Sequence, residues 1–77
     1  MVKIELLELT ENVARYKYFP ESSKKYGIVT LNRKTGQGEF EKLVRHYMIS
    51  YDAHALKQIA KYQQNGDFLQ KDIIMWY

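Results

Sequence analysis

Two histidines, His46 and His54, are the side chains best suited to acid–base or metal chemistry in this sequence. Eight residues separate them, so on one continuous helix they would stand about 80° apart, the wrong spacing for an i, i+4 metal clasp. Asp52 lies two residues from His54, but positions two apart on a helix face different ways and make no acid–base pair. Ser22-Ser23 sit in a charged stretch, with neither a strand-to-helix elbow nor a base to activate them. Gly36-Gln37-Gly38 lacks the helix N-terminus that a phosphate cradle uses, and reads as turn glycines. No pair stands out among the nine carboxylates. With no cysteine, thiolate nucleophiles, disulfides and Cys-type zinc sites are excluded. The expectation is a non-enzymatic protein with no catalytic, cofactor or metal residues. An enzyme or small-ligand binder would instead need a pocket of converging polar groups, drawn from Tyr hydroxyls, Arg45 or His46.

Two surfaces remain. The first is basic and aromatic: Arg15-Tyr16-Lys17-Tyr18-Phe19, then Lys24-Lys25-Tyr26, then Arg45-His46-Tyr47. Net charge over the whole chain is only +3, yet residues 15–34 carry six cations against Glu21 alone. Rings that stack on bases and cations that meet phosphates are the means of binding single-stranded nucleic acid, and the candidate contacts are Arg15, Lys17, Lys24, Lys25 and Tyr26. Strand periodicity sets Tyr16 and Tyr18 opposite to Arg15 and Lys17, which assigns the rings to a core and the charges to solvent. The second surface is the tail. Ile73, Met75, Trp76 and Tyr77 belong to a dense apolar group, expected either to complete the core as an edge strand or to pair with another protein or a second copy of the chain. A protein-interaction module, with a homodimer as one form, is the leading expectation; nucleic-acid binding is the alternative.

These surfaces must be positioned by one domain, since 77 residues leave no room for two. Val2, Ile4 and Leu6 alternate with charge, and Leu7 and Leu9 then reverse the parity, which predicts a strand with a bulge near Leu6-Leu7 or with both faces partly covered. Val13–Phe19 is a second strand ended by Pro20. Tyr26–Leu31 is a third, and Glu39–Val44 returns from a type I turn closed by a left-handed Gly36. Tyr51, Ala55, Leu56, Ile59 and Tyr62 form the apolar stripe of a helix over 50–64, with Ser50 or Asp52 as cap, Gly66 as stop, and Lys57, Lys61 and Gln64 towards water. Residues 71–77 read as a final strand or extended segment.

The fold class is therefore α+β: an antiparallel sheet of four or five strands, a β-meander for the first four, with one amphipathic helix on one face. Ile4, Leu6, Tyr16, Tyr18, Val29, Leu31, Phe40, Leu56, Ile59 and Ile74 should form the core. One helix covers one face, so the other must be polar, or apolar and partnered. No apolar run approaches a membrane span and no secretory leader is recognisable, so the expected setting is cytoplasmic, without a membrane partner.

Lys17-Tyr18-Phe19-Pro20 followed by Lys24-Lys25-Tyr26-Gly27-Ile28-Val29 faintly resembles the cold-shock family. Lys25, Ile28 and Pro20 depart from that pattern where bases would bind. Over most of the chain, Ala14-Arg15-Tyr16-Lys17-Tyr18, Pro20-Glu21, Tyr26-Gly27-Ile28-Val29, Thr35-Gly36 and Met75-Trp76-Tyr77 resemble a group of small uncharacterised proteins from Gram-positive bacteria. That resemblance implies a bacterial cytoplasmic domain and carries over no catalytic residues.

Overall fold

The computed structural model describes residues 1–21, 24–44 and 49–75, without the side chains of 49, 50 and 52. Strand β1 (Val2–Leu9) turns into β2 (Val13–Pro20), followed by β3 (Gly27–Asn32), β4 (Gly38–Lys42), helix α1 (Ile49–Asn65) and β5 (Lys71–Ile74). All neighbours are antiparallel and the sheet order is β4-β3-β2-β1-β5. The first four strands thus form the expected meander, and the last strand closes on the far side of β1.

Local chemistry accounts for the β1–β2 and β3–β4 turns and for the end of the helix. Thr10 Oγ1 accepts from the N–H groups of Asn12 and Val13, at 3.2 and 3.0 Å, and shapes the first turn. Asn32 Oδ1 accepts from Lys34 and Thr35 N–H, and Gly36 adopts φ +79°, where a side chain would be strained. The helix stops at Gly66, whose N–H reaches the Tyr62 carbonyl at 2.8 Å. The predicted bulge exists: the β1–β2 register slips between Leu6 and Glu8, returning Leu9 opposite Ala14. This explains the reversed parity of Leu7 and Leu9.

Helix α1 lies on β1, β2, β3 and β5. It buries Val2, Ile4, Ala14, Tyr16, Tyr18, Val29 and Leu31 against its own Ala55, Ile59 and Tyr62, while Leu6, Tyr51, Leu56 and Ile74 pack at the margin. One expected core residue is corrected. Phe40 is 37% exposed, because β4 is an edge strand at the limit of the helix's reach; its ring meets that of Tyr18 edge-on, centroids 6.2 Å apart. Pro20 is also a correction: it is the last residue of β2 rather than the residue after it, paired with Val2 at the strand end.

Buried phenols give the fold an alkaline limit. Burial pushes Tyr16 up to about 12, helped by Asp72 and Asp67, and burial with the Asp72 hydrogen bond raises Tyr62. A phenol raised in the folded state contributes its full stability below the ordinary value near 10. Above that value the unfolded chain releases the proton and the folded chain keeps it, so stability falls as pH rises. Urea midpoints should therefore drop between about pH 10 and about pH 12, and Tyr16→Phe should shallow the decline. An unchanged slope in that variant would show that Tyr16 does not set the limit.

Candidate functional site

The face of the sheet opposite α1 has no covering element among the described residues. Pairing puts Lys3, Phe19 and Ile73 in one row across it, Glu5, Lys17 and Lys71 in the next, and Ile28 with Lys17 and Lys42 beside them. Tyr26, immediately before β3, lies over this same face. Its ring centroid is 5.7 Å from that of Phe19, and the ammonium groups of Lys17 and Lys42 stand 4.5 and 4.1 Å from it. Two rings and two cations thus meet at the end of the sheet where β2 and β4 finish and β1 and β3 begin.

The opposite end of this face is electrically closed. Arg15 Nε donates to Glu41 at 2.8 Å, its Nη1 to Glu8 at 3.4 Å, and Thr30 Oγ1 also donates to Glu41. Hydrogen bonds from Thr30 and then Arg15 hold the Glu41 carboxyl below its ordinary range, and Glu41 in turn raises Arg15. Among the described residues, by contrast, Lys3, Lys17, Lys24 and Lys42 have no carboxylate within ion-pair distance.

The contacts named from the sequence therefore separate. Lys17 and Tyr26 are brought together; Lys24 and Lys25 are exposed in the β2–β3 connection; Arg15 is occupied by carboxylates. Arg33, from the same basic stretch, reaches the Thr10 carbonyl at 2.6 Å and Gln63 at 3.1 Å and lies against Phe68, so it ties turns to the helix. Phe19, named with the basic and aromatic stretch but not as a contact, joins the patch, as do Lys42 and Lys3. Phe19 is two residues from Lys17, so strand parity already placed it on the basic face. Lys42 depended on the β3–β4 register slip between Ile28 and Val29, which leaves Glu41 as the extra residue.

Compared with known proteins, the chain matches no family model, no curated protein and no solved structure.

The other candidate chemistry resolves differently. Four Tyr hydroxyls are spent on separate partners: Tyr16 on the Leu69 carbonyl, Tyr18 on the Lys42 carbonyl, Tyr51 on Glu21 and Tyr62 on Asp72. The hollows that open among the described residues at Lys3, Thr30, Lys71 and Leu31 are lined by none of them. Among the described residues no three His, Asp or Glu side chains gather as a metal site, and no helix is long and apolar enough to cross a membrane. Ser22, Ser23, Arg45, His46, Tyr47, Trp76 and Tyr77 lie outside the described residues, as do the side chains of Ser50 and Asp52.

In the tail, Ile74 points to the core, while Ile73 and Met75 are 56% and 62% exposed. The Leu6 N–H donates to the Gln70 carbonyl at 2.7 Å. By antiparallel alternation, the Ile73 N–H then points outward from the sheet. Asp72 Oδ1 accepts that N–H at 2.8 Å, while Oδ2 accepts from Tyr62 and from Gln58. An inward carboxylate thus caps the outer edge of β5, a protection against strand addition. Asp72→Ala should make the sedimentation coefficient rise with concentration beyond that of the native chain. No difference would mean that the cap has no guarding role.

Proposed function

We propose that the chain is a non-enzymatic binding module that carries single-stranded nucleic acid on its uncovered sheet face. The observation that supports this most directly is the juxtaposition of Phe19 and Tyr26 with the Lys17 and Lys42 ammonium groups. Bases stack on rings without regard to sequence, and unpaired lysines neutralise phosphates with release of counterions. The lysines also lie against the Tyr26 ring, where each holds a cation–π contact that a phosphate would draw it from. A cytoplasmic bacterial setting belongs to this reading and agrees with the absence of cysteine.

Fluorescence polarisation with labelled ten-nucleotide dT and U strands tests it. Saturable binding is expected at low salt, weakening linearly in a double-logarithmic salt plot with a slope of about −0.7 per phosphate contact. Arg15→Gln should leave affinity within about twofold, since that guanidinium is already committed to Glu8 and Glu41. Absence of binding up to about 100 µM protein at low salt would dispose of the reading.

A second reading, a protein-interaction module that self-associates through the tail, is favoured by the exposure of Ile73 and Met75. It ranks lower because Asp72 occupies the outward N–H of Ile73. A concentration-dependent mass that Ile73→Ser and Met75→Ser abolish would reverse the ranking.

A further inference from the structure

Next to the ring patch, a hollow of about 570 Å³ opens over β1, within the range of roughly 300–1,000 Å³ usual for small-ligand sites. Lys3 stands in its floor with Phe19 opposite it on β2 and Ile73 opposite it on β5, and Lys24 also lines it. Two carboxylates also line it: Glu21 takes the ammonium of Met1 at 3.0 Å and the Tyr51 hydroxyl at 2.6 Å, while Glu5 lies in register between Lys17 and Lys71 with no ion pair among the described residues. Two lysines thus remain for an anion, between two apolar walls spaced to either side of a single strand.

We infer that this hollow is a further nucleotide subsite: the base lies between Phe19 and Ile73, and the adjoining phosphate meets Lys3 and Lys24. The inference rests on the single-strand reading and gives it a path. Tyr26, Phe19, Lys3 and Ile73 lie in order across β3, β2, β1 and β5. The bound strand therefore crosses the sheet strands rather than running along them, over about 14 Å at the usual strand spacing. Such a path holds roughly three nucleotides, a short footprint for a sheet surface.

The test uses the native chain with fluorescein-labelled dT strands of increasing length, in low salt. Affinity should climb to a length of roughly four and then rise only slowly. Lys3→Glu should weaken the longer strands about tenfold and lower the salt slope by about 0.7. The charge-neutral Ile73→Ser should weaken them about threefold, and Lys61→Glu on the helix side should change affinity by less than about twofold. Circular dichroism checks each fold, with Lys3→Gln replacing any unfolded Lys3→Glu. If Lys3 and Ile73 variants bind like the native chain while Lys17 and Lys42 variants do not, the subsite is wrong and the single-strand reading stands. If the native chain binds no strand, both fall. If Ile73→Ser alters mass and not strand affinity, the hollow is a protein contact instead.

Discussion

Reversing both lysines that flank Tyr26, Lys17→Glu with Lys42→Glu, is expected to weaken single-strand binding by at least about 100-fold at 50 mM-scale salt. The change removes two phosphate partners and installs two like charges where the phosphates would lie. It also ends both cation–π contacts with Tyr26, now 4.5 and 4.1 Å from the ring centroid. Loss of fold does not explain such an effect. Both side chains sit on the uncovered face, and the main added strain is a second carboxylate facing Glu5 across the ladder, about 0.2–1 kcal/mol for like charges in register. The doubly neutral variant, with glutamine at both positions, should fall between native and reversed protein. Phe19→Ala should lose roughly 1–3 kcal/mol of stacking without altering the salt slope. Native-like affinity in the doubly reversed protein would sink the proposed function, whatever the single variants do.

Gly27→Ala is expected to be the most damaging small substitution. A Cβ at Gly27 would stand 2.2 Å from Cζ and 2.3 Å from Cε1 of Tyr18, far inside contact distance. Tyr18 is fully buried and is paired directly with Gly27, so its ring has no free direction in which to retreat. Overpacking of this kind costs about 1–3 kcal/mol, and more when the ring cannot move. For a domain of this size the loss corresponds to a fall in Tm of roughly 5–20 °C. Urea denaturation of Gly27→Ala, Tyr18→Leu and the double variant forms a cycle. The double variant should be more stable than the sum of the single losses, because leucine vacates the space that the new methyl needs. Additive losses would show that the ring does not enforce glycine here.

Much of the architecture was legible because it is written in local periodicity. Alternation marked β1, β2 and β3, the reversal at Leu6-Leu7 marked the bulge, and spacings of three and four marked α1 to within one residue at each end of 50–64. Tyr16 and Tyr18 lie under the helix, opposite to Arg15 and Lys17, as period-two parity required. The same parity also put Phe19 with Lys17, although the adjacent tyrosines drew attention to the other face.

What the sequence by itself determined about this protein is which residues could share an element and a face, because side-chain direction follows from backbone period over a few positions. It determined equally what chemistry was unavailable, beginning with the absence of cysteine. The tertiary structure alone decided which of the cations stay unpaired. Arg15 meets Glu41 from 26 residues away and Arg33 meets Gln63 from 30 away, whereas Lys42 joins Lys17 over Tyr26 only through the β3–β4 register and its extra residue. Ion pairing and ring contact depend on separations of a few ångströms between distant strands. Such separations are set by register and packing, which no local pattern encodes, and they moved the candidate site from the basic stretch as a whole to one end of an open sheet.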